Sequence, residues 1–88
     1  MSKSHKFNTF KQKLEEGYSW PALYMFKFIV PKGKEEEVIV LFPRHEFKAR
    51  ESTRGNYISL TVQLMCKSSD EIIEIYEKAH EIEGLIAL

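Results

Sequence analysis

The side chains of this 88-residue chain that could do chemistry are three histidines, one cysteine, a few hydroxyls and a run of glutamates. None stands in a pattern that builds a catalytic centre. His5, His45 and His80 share no metal-ligand spacing, and the carboxylates near them, Glu46, Glu77 and Glu81, are those of charged surface segments. All three read as surface histidines. Cys66 ends an apolar strand face, where a cysteine acts as a small buried hydrophobe, and no sequence neighbour is placed to lower its pKa. Ser52, Thr53, Ser59 and Thr61 have no nucleophile elbow and no base placed to activate them. Glu35-Glu36-Glu37 is a solvated helix start before it is an acid–base site. No catalytic residue, metal site or cofactor is therefore expected.

Two stretches suit binding instead. In Pro31-Lys32-Gly33-Lys34 a glycine and a helix N-terminus meet with lysines nearby, so Pro31, Gly33 and Lys34 form a candidate loop for a small anion or effector; the glycine also simply serves the turn. Arg54-Gly55 opens like the third strand of an RNA recognition motif, but Asn56, Ile58 and Thr61 stand where stacking aromatics are required, and Tyr57 where a small residue is expected. Thirteen basic and thirteen acidic side chains cancel, so no global field gathers phosphate backbones or anionic lipid. Nucleic acid and membrane are not the expected partners.

The stretch from Ser52 to Leu64 organises the fold. It changes from charged to alternating across Gly55-Asn56, residues that tolerate the positive φ of a hairpin turn; beyond them Ile58, Leu60, Val62 and Leu64 share one face and Tyr57, Ser59, Thr61 and Gln63 the other. Upstream, Phe7, Phe10 and Leu14 predict an amphipathic helix over 5–16, closed by Gly17. Trp20-Pro21 marks a boundary before an aromatic-rich strand over 22–30. Residues 34–42 predict a helix with an acidic first turn, stopped by Pro43, although Val38-Ile39-Val40 would also suit a strand. A charged strand over 46–54 and an apolar one over 57–66 follow. Ser68 and Glu71 form a capping box opening a helix through Ile82, with Ile72, Ile75, Tyr76 and Ala79 on one side. Gly84 ends it, leaving residues 85–88 for a short last strand.

The order β-α-β-β-α-β predicts an α+β, ferredoxin-like sandwich: an antiparallel sheet of order 4-1-3-2, with an extra N-terminal helix. Residues 1–19 are read as that helix and its linker, and 20–88 as the ferredoxin-like domain. The strands expected at the centre are the most apolar, and charge suits the edges. Both crossover helices cover one face, leaving the other open. If Lys27 points to solvent, Leu23, Met25 and Ile29 lie on that face with Tyr57 and Met65, while Tyr24, Phe26, Phe28 and Val30 turn inward. Monomers rarely leave such a patch bare, so either the first helix or a second subunit is expected to cover it.

The chain also resembles the DUF493, or YbeD-like, family of small bacterial proteins. The resemblance rests on Trp20-Pro21 before the first strand, Lys27 late in it, the core Ser52, Gly55, Tyr57 and Ser59, Tyr76 in the last helix, and the short apolar C-terminus. It implies a ferredoxin-like fold similar to ACT regulatory domains, which pair sheets or helices and bind small effectors at subunit interfaces.

Burying only roughly 60 to 65% of its unfolded surface, a domain of this length holds a thin core that a protein partner or second copy would reinforce. A lone cysteine excludes an intrachain disulfide and suits a reducing compartment. The first residues have no apolar stretch of signal-peptide type, and no apolar run nears the roughly 20 residues of a membrane span. The sequence thus leads to a small, non-enzymatic cytoplasmic interaction or regulatory module; the alternative is a weak RNA- or nucleotide-binding module using the open sheet face.

Overall fold

At the centre of the computed structural model, which describes residues 8–88, two ten-residue strands run antiparallel: β1 (Ala22–Pro31) and β3 (Tyr57–Cys66). They are paired without a break from Ala22 opposite Cys66 to Pro31 opposite Tyr57. β2 (Lys48–Glu51) flanks β3, and β4 (Ile86–Ala87) flanks β1, giving the antiparallel order β2-β3-β1-β4. This is the expected 4-1-3-2 order read from the other edge. The helices are α1 (Asn8–Gly17), α2 (Glu35–Ile39) and α3 (Ser69–Ala79), the last two being the crossovers of a ferredoxin-like α+β fold. The part of the first predicted helix before Asn8, Phe7 included, lies outside the described residues.

Strand parity sets the core. Phe26, Phe28 and Val30 of β1 and Ile58, Leu60, Val62 and Cys66 of β3 are buried, together with Ile72, Ile73, Tyr76 and Ala79 of α3. Tyr24 is half-buried on the same inner side. The Phe26 ring lies 5.1 Å from Phe42 and 5.3 Å from Tyr76 between centroids, so the two helical connections close on the centre of the sheet through aromatic contacts.

Four elements are shorter than the sequence predicts, among them the last strand, which is Ile86–Ala87 of the expected 85–88. α2 stops at Ile39 instead of 42; Leu41 and Phe42 continue in tighter turns, their N–H groups bonding to Val38 and Ile39 three residues back. β-Branched Val38-Ile39-Val40 and the following Pro43 disfavour a longer helix, yet Val38 and Phe42 still reach the core. β2 keeps only Lys48–Glu51 of the expected 46–54, and all four residues are exposed, as an edge strand's can be. α3 ends at Ala79, but Ile82, in the turn beyond, remains buried.

The β2–β3 connection is a five-residue loop, 52–56. Gly55 takes φ 73° and Asn56 does not enter the left-handed region, because a loop of this length needs one such residue where a two-residue turn needs both. The Ser52 N–H donates to the Tyr57 carbonyl at 2.9 Å and the Tyr57 N–H to the Ser52 hydroxyl at 3.2 Å, closing the loop. At α3 the Ser68 hydroxyl accepts the Glu71 N–H at 3.4 Å, while the Glu71 carboxylate reaches back to the Lys67 N–H at 2.7 Å, one residue before the position of a standard capping box.

α1 lies on the helical layer, against α3. Leu14 is buried, Phe10 meets Tyr76 edge-on at 5.6 Å, and Lys11 bonds Asp70 at 2.6 Å. The buried Ser69 hydroxyl donates to Glu15. Of the two covers expected for the open face, the described part of the first helix is therefore not one: it adds to the opposite side of the molecule.

Candidate functional site

The outer face of the sheet carries most of the exposed large apolar side chains; Val40, Leu88 and Tyr18 are exposed elsewhere. Register sets it out in rows across the strands: Leu23 beside Met65, Met25 beside Gln63, then Lys27-Thr61-Lys48, then Ile86-Ile29-Ser59-Arg50, and last Pro31 beside Tyr57. Leu23, Met25 and Met65 are 53%, 55% and 56% exposed, Tyr57 and Ile86 are exposed, and Ile29 is half-buried. Leu23, Met25, Lys27, Ile29, Tyr57 and Met65, grouped by parity in the sequence, thus share this face. Ile86, Lys48 and Arg50 join them. No sequence signal placed Ile86, because a two-residue strand has too little alternation to assign a parity; Lys48 and Arg50 alternate with Ala49 and were legible once β2 was assigned.

Two shallow hollows mark the β2 side of this face. One, of about 230 Å³, lies among Ile29, Arg50, Glu51, Tyr57, Ser59 and the loop at Ser52 and Thr53. The other, of about 360 Å³, lies among Met25, Lys48, Thr61 and Gln63, with Glu46 at its rim.

The Pro31-Gly33-Lys34 loop lies at the end of β1. Gly33 has φ 106°, and its N–H donates to Glu35 Oε1 at 2.6 Å. That bond and the one from its own N–H hold the Glu35 carboxyl below the usual carboxylate range. Lys34 Nζ lies 3.3 Å from Glu37, and Lys32 Nζ 2.5 Å from Glu51, whose hydrogen bond raises the lysine's pKa. The chain's own carboxylates thus meet each of these donors.

Cys66 and Tyr76 hold their protons tightly. Cys66 is fully buried, and burial, followed by the negative charge of Glu71, pushes its thiol up to about 11. The Tyr24 and Tyr76 hydroxyl oxygens lie 3.2 Å apart in a groove of about 320 Å³ lined also by Phe10, His80, Ala87 and Leu88. Burial, then the hydrogen bond to Tyr24, raises the Tyr76 phenol well above its ordinary value, so it keeps its proton. His45 and His80 are exposed; His5 lies outside the described residues. Among the described residues no group of three His, Cys, Asp or Glu side chains could hold a metal ion. No helix among them is long and apolar enough to cross a membrane.

The model of a family described as a protein of unknown function, DUF493, matches residues 15–88, from within α1 to the last residue. The chain belongs to the DUF493 family. No curated protein and no solved structure matches it. The family match covers the whole sheet and both crossover helices, so the outer face belongs to the DUF493 unit itself.

Proposed function

We propose that this DUF493 protein is a non-enzymatic, cytoplasmic interaction or regulatory module that docks a protein partner on the outer face of its sheet. The observation carrying this reading is the row pair Leu23-Met65 and Met25-Gln63, where three large aliphatic side chains stand more than half exposed on central strands. Burying such side chains against a partner gains roughly 25 cal/mol for each Å² of apolar surface removed from water. The tightly held protons of Cys66 and Tyr76 favour a binding role over a catalytic one, and the ferredoxin-like order is the arrangement on which ACT-type modules expose a sheet.

A photo-crosslinking amino acid in place of Met25, in the protein's native cells, tests the reading. The same group at Glu74, exposed on α3, is the control. A protein adduct from position 25 and none from position 74 is expected. No adduct, or equal adducts from both sites, refutes docking on this face.

A further inference from the structure

We infer that the partner segment received by the outer face is an acidic, amphipathic stretch of protein, apolar side chains on one flank and carboxylates on the other. The inference rests on the docking reading above and adds the chemistry of what docks. Although the chain is neutral overall, its two sides are not. The outward strand positions carry three cations, Lys27, Lys48 and Arg50, and no carboxylate; Glu46 and Glu51 reach the two hollows only at the β2 edge, and Glu51 is paired with Lys32. Among the described residues none of these three forms an ion pair, whereas Lys11, Lys32 and Lys34 all do. The balancing acids lie mainly on the helical side: Asp70, Glu71, Glu74, Glu77, Glu81 and Glu83, against Lys78 alone, in α3 and the turn after it.

Lys27 and Lys48 flank Thr61 in one row, and Arg50 follows in the next. Rows on one face are about 6.6–6.8 Å apart and adjacent strands about 4.8 Å, so the three charges fall within roughly one Debye length and attract an anion together. The apolar residues form two groups, Leu23, Met25 and Met65 on one side of Lys27 and Ile29 with Ile86 on the other. Lying along this face, an element meets aliphatic contact at Leu23, Met25 and Met65 and again at Ile29 and Ile86, and positive charge at Lys27 between them and at Lys48 and Arg50 on β2.

Other occupants fit less well. Two copies joined face to face would bring six lysines and arginines into one contact, with acids only at the β2 edge, and a face set on the acidic helices of the next copy is a head-to-tail contact that builds a ring or a filament, which sedimentation reads. Single-stranded nucleic acid needs a platform of stacking rings, and Tyr57 is the sole aromatic at an outward strand position.

The test uses the full chain and labelled peptides of about twelve residues in fluorescence anisotropy, at about 0.05 and 0.2 M salt. One peptide alternates Leu with Glu, a second Leu with Lys, and a single-stranded oligonucleotide of matching charge is the third probe. The Leu/Glu peptide is expected to bind at least tenfold more tightly than the other two. K27E/K48E/R50E should reverse the order of the peptides, and L23S/M25S should weaken the Leu/Glu complex several-fold. Equal binding of both peptides, preference for the oligonucleotide, indifference to either variant, or sedimentation of the chain as a dimer that K27E/K48E/R50E disperses each overturns the inference. The Met25 crosslink separates the two proposals: an adduct there without acidic preference leaves docking standing, and loss of both removes the face as a site.

Discussion

Met25 and Phe26 are neighbours on one strand with opposite fates, so exchanging each for a small residue measures how far the outer face is needed for folding. Fully burying a side chain the size of Met stabilises by about 1.5–3 kcal/mol, and Met25 is 55% exposed, so less than half of that is lost in Met25→Ser, about 1 kcal/mol. Phe26 is fully buried, with ring centroids 4.9 Å from Tyr24, 5.1 Å from Phe42 and 5.3 Å from Tyr76. Its removal in Phe26→Ala should cost about 3–5 kcal/mol, a large part of the roughly 5–10 kcal/mol that holds a domain of this size. Urea unfolding followed by far-ultraviolet circular dichroism reads both. With a slope of about 1 kcal/mol per molar, the midpoint should fall by about 1 M or less for Met25→Ser and by 3 M or more for Phe26→Ala. The first midpoint should also be independent of protein concentration. A loss for Met25→Ser that matches the loss for Phe26→Ala, or one that depends on concentration, would mean that the face is already covered in the isolated protein, and the free docking surface would be refuted.

Two further expectations concern positions away from that face. Gly55 and Gly84 both have positive φ, but a Cβ at Gly55 meets only Glu51 Oε2 at 4.0 Å, whereas at Gly84 it would lie 2.7 Å from Pro31 Cγ. Gly55→Ala should therefore cost about 1 kcal/mol, and Gly84→Ala that penalty plus the about 1–3 kcal/mol of forcing an atom against a rigid ring; equal denaturation midpoints would contradict the packing of the last turn on β1. Because Cys66 holds its proton more tightly folded than unfolded, its stabilising contribution is complete below pH 9 and is lost as pH rises towards about 11. Cys66→Ala should flatten that alkaline limb, and iodoacetamide at pH 8 should label the native thiol at least tenfold more slowly than the urea-unfolded one; matching native and unfolded rates would show the thiol accessible.

The reach of the sequence is uneven for physical reasons. Alternation in β1 and β3 assigns parity residue by residue, so Phe26, Phe28, Leu60 and Val62 could be placed inside, and Leu23, Met25, Tyr57 and Met65 outside, before any coordinates. The capping Ser68 and the apolar stripe of α3 are equally local, as is the need for glycine at position 55. Element ends were less legible. α2 ends at Ile39 because propensity and tertiary contact compete there: the β-branched residues leave the helix while Val38 and Phe42 are drawn into the core.

What the sequence by itself determined is the type of most elements and the identity of most residues on each face, which follow from periodicities of two and 3.6 that neighbouring residues carry, and, through the β-α-β-β-α-β order and the handedness of its crossovers, the fold class. Only the tertiary structure decided where α1 lies and which charges meet. Leu14 and Phe10 could cap either side of a sheet by periodicity alone, and the choice came from distant partners, Tyr76, Ser69 and Asp70, which close the contact on α3. Likewise, Lys27, Lys48 and Arg50 are separated along a chain of zero net charge. They share one face only because β3 lies between β1 and β2 and sets their register, a long-range pairing that no local pattern encodes.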